Sequence, residues 1–96
     1  MRKSNTEHIG DIIEEYIDAL KLRGKMKHFR ATKLWPEVMG PAIAKATKKI
    51  YAKEGKMFVH IDSPVLKHEL YMAKSGIINT LNKKLGGKVI IDIIFR

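Results

Sequence analysis

Few side chains in this sequence have the type and spacing that metal binding or thiol chemistry requires. The chain contains four histidines and no cysteine, so thiolate ligands, a cysteine nucleophile and disulfides are excluded. None of the histidine pairs has the HExxH or HxxxH spacing that places two imidazoles on one helical turn; the four are His8, His28, His60 and His68. We therefore expect no metal site and no cofactor, and we interpret His60 as a half-buried strand residue.

Nucleophilic and acid–base catalysis also lack a recognisable arrangement. Ser63 precedes Pro64 and is better explained as a helix cap than as a nucleophile, since no GxSxG elbow surrounds it. Glu14 and Glu15 are adjacent on an exposed helical face, whereas a catalytic carboxyl pair must converge in a cleft. The seven glycines form neither a P-loop nor a GxGxxG turn. The sequence therefore predicts a protein that is not an enzyme and has no small-molecule substrate.

Basic side chains are the most informative feature. The net charge is +9, and residues 21–56 alone carry eleven basic side chains against two acidic ones. Such concentration is typical of a polyanion binder, although a lysine-rich solvated surface is the alternative. The residues that we expect to contact phosphates are Lys25, Lys27, Arg30, Lys33, Lys45, Lys48 and Lys49.

Aromatic side chains could add base stacking to such binding. Trp35 is the only tryptophan, and its place between Leu34 and Pro36 favours packing in the core. Tyr51 and Tyr71 are better candidates for stacking, because either can keep an exposed ring. The role of Phe58 depends on whether the outer face of the predicted sheet is open or covered.

Hydrophobic periodicity first predicts helices. Apolar residues recur at three- and four-residue steps over 6–22, which indicates an amphipathic helix that Gly24 would end. A second helix is predicted over 26–39, with a kink or restart at Pro36.

The period then changes to that of strands. Residues 47–53 and 56–62 predict a hairpin, and a further helix starts at Ser63-Pro64 and ends at Gly86-Gly87. Residues 89–95 are apolar on both faces, which predicts a central or doubly covered strand. The result is one α+β domain over residues 1–96 with the order α-α-β-β-α-β, a three-stranded sheet and helices packed on one face.

The expected location follows from what the sequence does not contain. No apolar run approaches the ~20 residues that a membrane helix needs, and the polar stretch after Arg2 and Lys3 does not fit a secretory signal. We therefore expect a cytoplasmic protein without a membrane partner.

Several blocks of the chain resemble the DciA-like family. Residues 35–44 (WPEVMGPAIA) resemble its Trp-x-x-Val-x-Gly block, residues 55–61 (GKMFVHI) its Gly-x-Leu-x-Val-x-Val strand, and residues 63–70 (SPVLKHEL) the start of its following helix. Leu81-Asn82 and the closing residues 93–96 also match the family's pattern.

This resemblance implies a KH-like domain that binds DNA and acts with the bacterial replicative helicase, assisting its loading. The sequence has no Gly-x-x-Gly loop, so we do not expect the backbone clamp by which KH domains read single strands. Longer family members carry a basic extension after the last strand, and without it we expect DNA binding with helicase loading left open.

Our leading interpretation is therefore a DNA-binding module without sequence specificity that also contacts the replicative helicase. Two alternatives remain at this point. One is a protein-interaction module, indicated by an acidic first helix next to a basic middle of the chain. The other is an RNA-binding domain, since KH-like sheets bind both nucleic acids.

Overall fold

A single long helix, α1 (Asn5–Met39), forms the first third of the molecule. The computed structural model describes residues 5–96, and side-chain surroundings from Ile9 onward. The two predicted helices over 6–22 and 26–39 are thus one, and the prediction that Gly24 ends the first was wrong. One glycine costs a helix only about 1 kcal/mol, and Gly24 does not adopt the positive φ of a helix-ending glycine.

The sequence predicted a kink or restart of the helix at Pro36, and α1 is continuous through this residue. Pro36 has no N–H to donate to the preceding turn, but its carbonyl accepts from Gly40 N at 3.0 Å. Gly40, with φ +89°, separates α1 from the short helix α2 (Pro41–Ala46).

Strands β1 (Thr47–Lys53) and β2 (Lys56–Ile61) form the predicted antiparallel hairpin. Glu54 and Gly55 connect them with φ values of 52° and 81°, the two positive φ angles of a type I′ turn. A bulge lies between Thr47 and Lys49.

The predicted third helix divides into α3 (Pro64–Met72) and α4 (Lys74–Leu85) at Ala73. Ser63 caps α3 as expected, because its Oγ accepts from Leu66 N at 3.2 Å. The end of α4 was also predicted correctly, since Gly86 takes a left-handed conformation with φ +80°.

The last strand, β3 (Asp92–Phe95), is shorter than predicted and lies at an edge of the sheet. The sheet order is β1-β2-β3, with β2 in the centre and β3 parallel to it, so of the two predicted alternatives, a central or a doubly covered last strand, the central one was wrong. The apolar character of residues 89–91 has another cause. Ile90 is fully buried in a segment that the Asn82 side chain holds through three hydrogen bonds.

The core lies between one face of the sheet and the helices, as predicted. Met57, Val59 and Ile93 point into it from the strands, and Trp35 and Leu81 meet them from α1 and α4. Trp35 is 1% exposed, which confirms its core role; its Nε1 donates to Thr47 Oγ1 at 3.0 Å.

The first half of α1 extends beyond this core. All residues from Ile9 to Arg23 are exposed, and the first buried residue of the helix is Ala31. The molecule is accordingly elongated, with extents of 63 × 22 × 19 Å. Within the described part of the chain, the helix side chains over 9–20 therefore project without packing on the domain.

Candidate nucleic-acid interface

The outer face of the sheet carries two stacked aromatic rings. Strand alternation turns Tyr51 of β1 and Phe58 of β2 away from the core, and these residues are register partners. Their ring centroids are 4.8 Å apart with an interplanar angle of 16°. Tyr51 keeps 36% of its surface exposed, so this face, whose state the sequence left open, is accessible at the rings.

Cations flank this aromatic pair on both sides. The Arg96 guanidinium lies 4.9 Å from the Phe58 ring centroid, and its Nη1 donates to the Tyr51 hydroxyl at 3.5 Å. Lys49 Nζ lies 5.7 Å from the Tyr51 centroid. Alternation turns two more lysines of the hairpin to the same face. We call this group the sheet platform: Lys49, Tyr51, Lys53, Lys56, Phe58 and Arg96.

The hairpin that presents the platform is held against α1. His28 Nε2 accepts a hydrogen bond from Gly55 N at 2.8 Å, and Gly55 O accepts from Ile91 N at 2.7 Å. A Cβ on Gly55 would lie 3.1 Å from Ile91 Cγ1, so both its φ and its close packing favour glycine. The turn thereby fixes the position of Tyr51 and Lys53 relative to the helix.

A groove of about 770 Å³ connects the platform with the long helix. It runs between α1 and the edge strand β1, and its walls include Lys21 and Lys25 from the helix and Tyr51 and Lys53 from the strand. Basic side chains thus continue from the sheet face to α1.

The predicted phosphate contacts on α1 spread around the helix. At 100° per residue, one side of α1 carries Lys27, Arg30 and Lys33. Lys25 lies in the groove instead. Lys33 Nζ lies 5.0 Å from the Phe29 ring centroid. Arg30 Nη2 donates to Lys84 O at 3.2 Å, which ties α1 to the end of α4 and gives Arg30 a structural contact.

The other three predicted residues lie around the start of β1. Lys45 is exposed in the last turn of α2. Lys48 pairs with Asp62 at 3.5 Å, with both side chains well exposed, so this ion pair is weak. Lys49 alone of the seven belongs to the sheet platform.

Three basic residues of the platform were missing from the predicted set: Lys53, Lys56 and Arg96. The prediction rested on charge density along the sequence, which pointed to α1. Lys53, Lys56 and Arg96 become neighbours only through the pairing of strands in the sheet. The pattern Lys49-Tyr51-Lys53 opposite Lys56-Phe58-His60 was a usable signal, because antiparallel pairing brings alternate residues of both strands to one face.

The far edge of the sheet holds an ion pair. Lys74 Nζ lies 3.0 Å from Asp92 Oδ1, and this hydrogen bond, helped by Ile93 N–H and the charges of Lys74 and Lys56, lowers the pKa of Asp92 despite some burial. Asp92 is therefore ionised at neutral pH, and Lys74 balances the one acidic charge on β3.

Residues 5–96 lack the features of a metal centre and of a membrane span. No cluster of three or more histidine or acidic side chains able to hold a metal ion occurs in that range. None of the helices described there is long and apolar enough to cross a membrane.

The sequence that forms these elements is similar to a known protein family. The family model described as "Dna[CI] antecedent, DciA" matches residues 8–95, which spans all the elements of the sheet and its helices. No curated protein matches the chain.

Proposed function

We propose, since the chain belongs to the DciA family, that it is a DNA-binding accessory of the bacterial replicative helicase. Membership implies a role in the loading of that helicase during replication, and the family is not a known enzyme family. The finer parts of the proposal are direct contact with DNA, without sequence specificity, and direct contact with the helicase. Such a role would place the protein in the cytoplasm, with a KH-like domain as its functional unit.

The sheet platform is the observation that carries the DNA-binding proposal. It combines two aromatic rings with four cationic side chains on one accessible face. Bases of any sequence stack on aromatic rings and on guanidinium planes, while lysine and arginine neutralise phosphates. That combination supports binding without sequence preference.

The same feature favours single-stranded over double-stranded DNA. A base can stack on a protein side chain only when it has left its own duplex stack. In a duplex only the phosphates would reach the platform cations, so the rings would add little. We therefore propose that unpaired bases lie on the sheet and that the phosphate backbone continues along the groove toward Lys21 and Lys25.

Lys27 and Lys33 are proposed as outer phosphate contacts on α1, with Lys25 nearer the platform. Arg30 stays in the proposed set, but its hydrogen bond to Lys84 O means that replacing it changes the fold as well as the charge. Lys45 and Lys48 extend the positive surface at the start of β1. Substitutions of lysines therefore test the interface more cleanly than any substitution of Arg30.

RNA binding is the second candidate, because stacking and phosphate contacts serve both nucleic acids. The 2′-hydroxyl is what distinguishes RNA from DNA in such a site. Interaction with a protein alone is the other alternative, and the projecting part of α1 is the observation in its favour.

The decisive experiment is fluorescence anisotropy with labelled single-stranded DNA, duplex DNA and single-stranded RNA of one length. We expect Tyr51→Ala to weaken single-strand binding roughly 5- to 150-fold, the range for loss of one stacked base, with little change for the duplex. Tyr71→Ala is the matched control, because Tyr71 is an exposed tyrosine on α3 with Lys74 4.8 Å from its ring centroid.

Two results would contradict the proposal. Equal effects of Tyr51→Ala and Tyr71→Ala would remove the platform from the site, and tighter binding of RNA than of DNA would favour the second candidate. Contact with the helicase needs its own test, by sedimentation of the purified partner with the chain after nuclease treatment.

A further inference from the structure

The edge of the sheet that borders the groove is an open strand. β1 pairs with β2 on one side and has no strand on the other. Next to a two-residue turn, Lys53 and Lys56 form a hydrogen-bonded pair, and the two kinds of pair alternate along the hairpin. The N–H and C=O groups of Ile50 and Ala52 therefore point away from β2. In the described chain, neither residue makes a backbone hydrogen bond outside the hairpin.

The groove beside this edge has an apolar floor. Its volume is about 770 Å³, and its lining includes Gly24 and Phe29 of α1 and Ile50 and Ala52 of β1. Phe29 is 63% exposed. An open sheet edge accepts an extended peptide as an added strand, with backbone hydrogen bonds for affinity and alternate side chains for specificity. One set of alternate side chains in such a strand would turn toward α1 and the apolar floor.

The rim of the groove is positively charged. Lys21 and Lys25 contribute from α1 and Lys53 from β1, while Glu54 is the one acidic side chain of the lining. Strand alternation also turns Lys49 to the same outer face as Lys53. Residues of an added strand that lie beside these two lysines are favoured when they are acidic.

We propose that the groove binds an extended peptide segment of a partner protein in which acidic and apolar residues alternate. The peptide adds a strand to the sheet beside β1. Its apolar side chains lie next to Ile50, Ala52 and Phe29, and its acidic side chains lie next to Lys49 and Lys53. This inference goes beyond the DNA-binding proposal and does not depend on it.

Two other occupants fit the edge less well. An antiparallel pair of β1 strands from two copies, centred on Tyr51, would set Lys49 opposite Lys53, and like charges directly opposite destabilise a sheet. The backbone of DNA has acceptors and no donors, so it would leave the outward carbonyls of β1 without partners and Phe29 without an apolar contact. Phosphates can still use the rim lysines, so peptide and DNA should compete there.

The first test uses a synthetic peptide in which glutamate and valine alternate. A peptide of the same composition, with the glutamates and valines in two blocks, is the control. We expect the alternating peptide to bind in fluorescence anisotropy and the block peptide to bind at least roughly tenfold more weakly. At saturation, amide hydrogen exchange should slow at least about tenfold at Ile50 and Ala52. The slowing should be smaller at Tyr51, whose N–H already faces β2.

N-methylation of the peptide tests for pairing between backbones. Only alternate N–H groups of an added strand face β1. Methylation of one alternate set should therefore abolish binding, and methylation of the other set should have little effect. Sensitivity at the valines would identify an antiparallel strand, and sensitivity at the glutamates a parallel one.

Charge reversal on α1 tests the basic rim. Lys25→Glu should weaken binding of the alternating peptide roughly fivefold, the upper range for an exposed ion pair. Arg23→Glu is the matched control, because Arg23 is exposed and lies about 200° around the same helix. Circular dichroism of both variants establishes that α1 remains helical.

Four outcomes would overturn this inference: no binding of the alternating peptide, equal binding of the block peptide, unchanged exchange at Ile50 and Ala52, or equal effects of the two methylated sets. Equal weakening by Lys25→Glu and Arg23→Glu would remove the rim from the site. Single-strand DNA binding by the wild type and by Tyr51→Ala is measured in parallel. A peptide that fails to bind while DNA binding still depends on Tyr51 contradicts this inference and leaves the proposed function standing.

Discussion

Single side chains decide how the ends of several elements meet. Asn82 is the clearest case, because its Oδ1 accepts from Val89 N at 3.1 Å and from Ile90 N at 2.8 Å, and its Nδ2 donates to Ile90 O at 2.8 Å. The extended segment before β3 has no strand partner for these groups, so one amide side chain replaces a missing strand. Asn82 belongs to one of the blocks that resemble the family.

Asn82→Ala should therefore destabilise the protein strongly. The substitution leaves the N–H and the carbonyl of the fully buried Ile90 without their partners, whereas Val89 N keeps its hydrogen bond to Gly87 O at 3.0 Å. We expect a loss of about 2–4 kcal/mol. Chemical denaturation monitored by circular dichroism measures it. Asn79→Ala, at an exposed position one turn earlier on α4, serves as the control and should lower the free energy of unfolding much less. Equal losses would contradict the role of Asn82 in holding the segment before β3.

At the scale of elements, the continuity of α1 has the largest consequence. It joins the core-packed part of the helix to the exposed apolar side chains over residues 9–20 and to the basic residues of the groove in one continuous helix. Had the helix ended at Gly24, as the sequence predicted, the first 20 residues would have formed a separate helix able to pack on the sheet.

Gly24→Ala tests this continuity directly. Apart from the adjoining helix backbone, no atom lies within 4 Å of a Cβ placed at Gly24, and its φ is not positive, so alanine should stabilise α1 by about 0.5–1 kcal/mol. Thermal unfolding measures the change. A destabilising effect would mean that residue 24 adopts the left-handed conformation of a helix end. Gly86→Ala, at φ +80°, should destabilise and provides the comparison.

Local sequence signals predicted most of the elements correctly. The hairpin followed from alternation and its two-residue turn, and the start and end of the α3–α4 region followed from Ser63-Pro64 and Gly86-Gly87. The errors arose where distant packing decides. A glycine within a helix and a helix end have similar local sequences, and the anchoring of residues 31–38 in the core favours the continuous helix.

The candidate site was predicted only in part for the same reason. Lysine density along the chain pointed to α1, but side chains become neighbours on a sheet through pairing between strands. Arg96 shows this best, because it reaches Tyr51 and Phe58 only once β3 lies parallel to β2. Tyr51 was identified as a stacking candidate from its sequence position, whereas Arg96, which donates to its hydroxyl, was not predicted as part of the site.

The whole molecule is long and strongly polarised in charge. Its radius of gyration is 18.1 Å, compared with roughly 12–13 Å expected for a compact domain of this length. The acidic end of α1 lies far from the sheet platform, so a nucleic acid on the platform avoids the acidic segment. Under the proposed function, DNA on the sheet platform would leave the projecting part of α1 free for contact with a protein.

The salt dependence of binding should reveal how many cations take part. The four platform cations alone predict a slope of about −3 in log K against log salt for single-stranded DNA, and each further phosphate contact along the groove or α1 adds about −0.7. Lys49→Glu with Lys53→Glu should reduce its magnitude by at least 1, while Lys88→Glu, exposed beyond α4, should change it little. An unchanged slope in the double variant would assign the electrostatic contacts to α1. Anisotropy titrations between low and moderate salt measure it.

The position of the only tryptophan gives this molecule a built-in optical reporter. The Trp35 indole is shielded from water, donates to Thr47 Oγ1 and lies 6.2 Å from the Phe95 ring centroid, so it touches α1, β1 and the last strand at once. Its emission should shift to longer wavelength only when these three separate. Because Trp35 belongs neither to the sheet platform nor to the projecting part of α1, its fluorescence can follow unfolding without interference from a ligand or partner bound there.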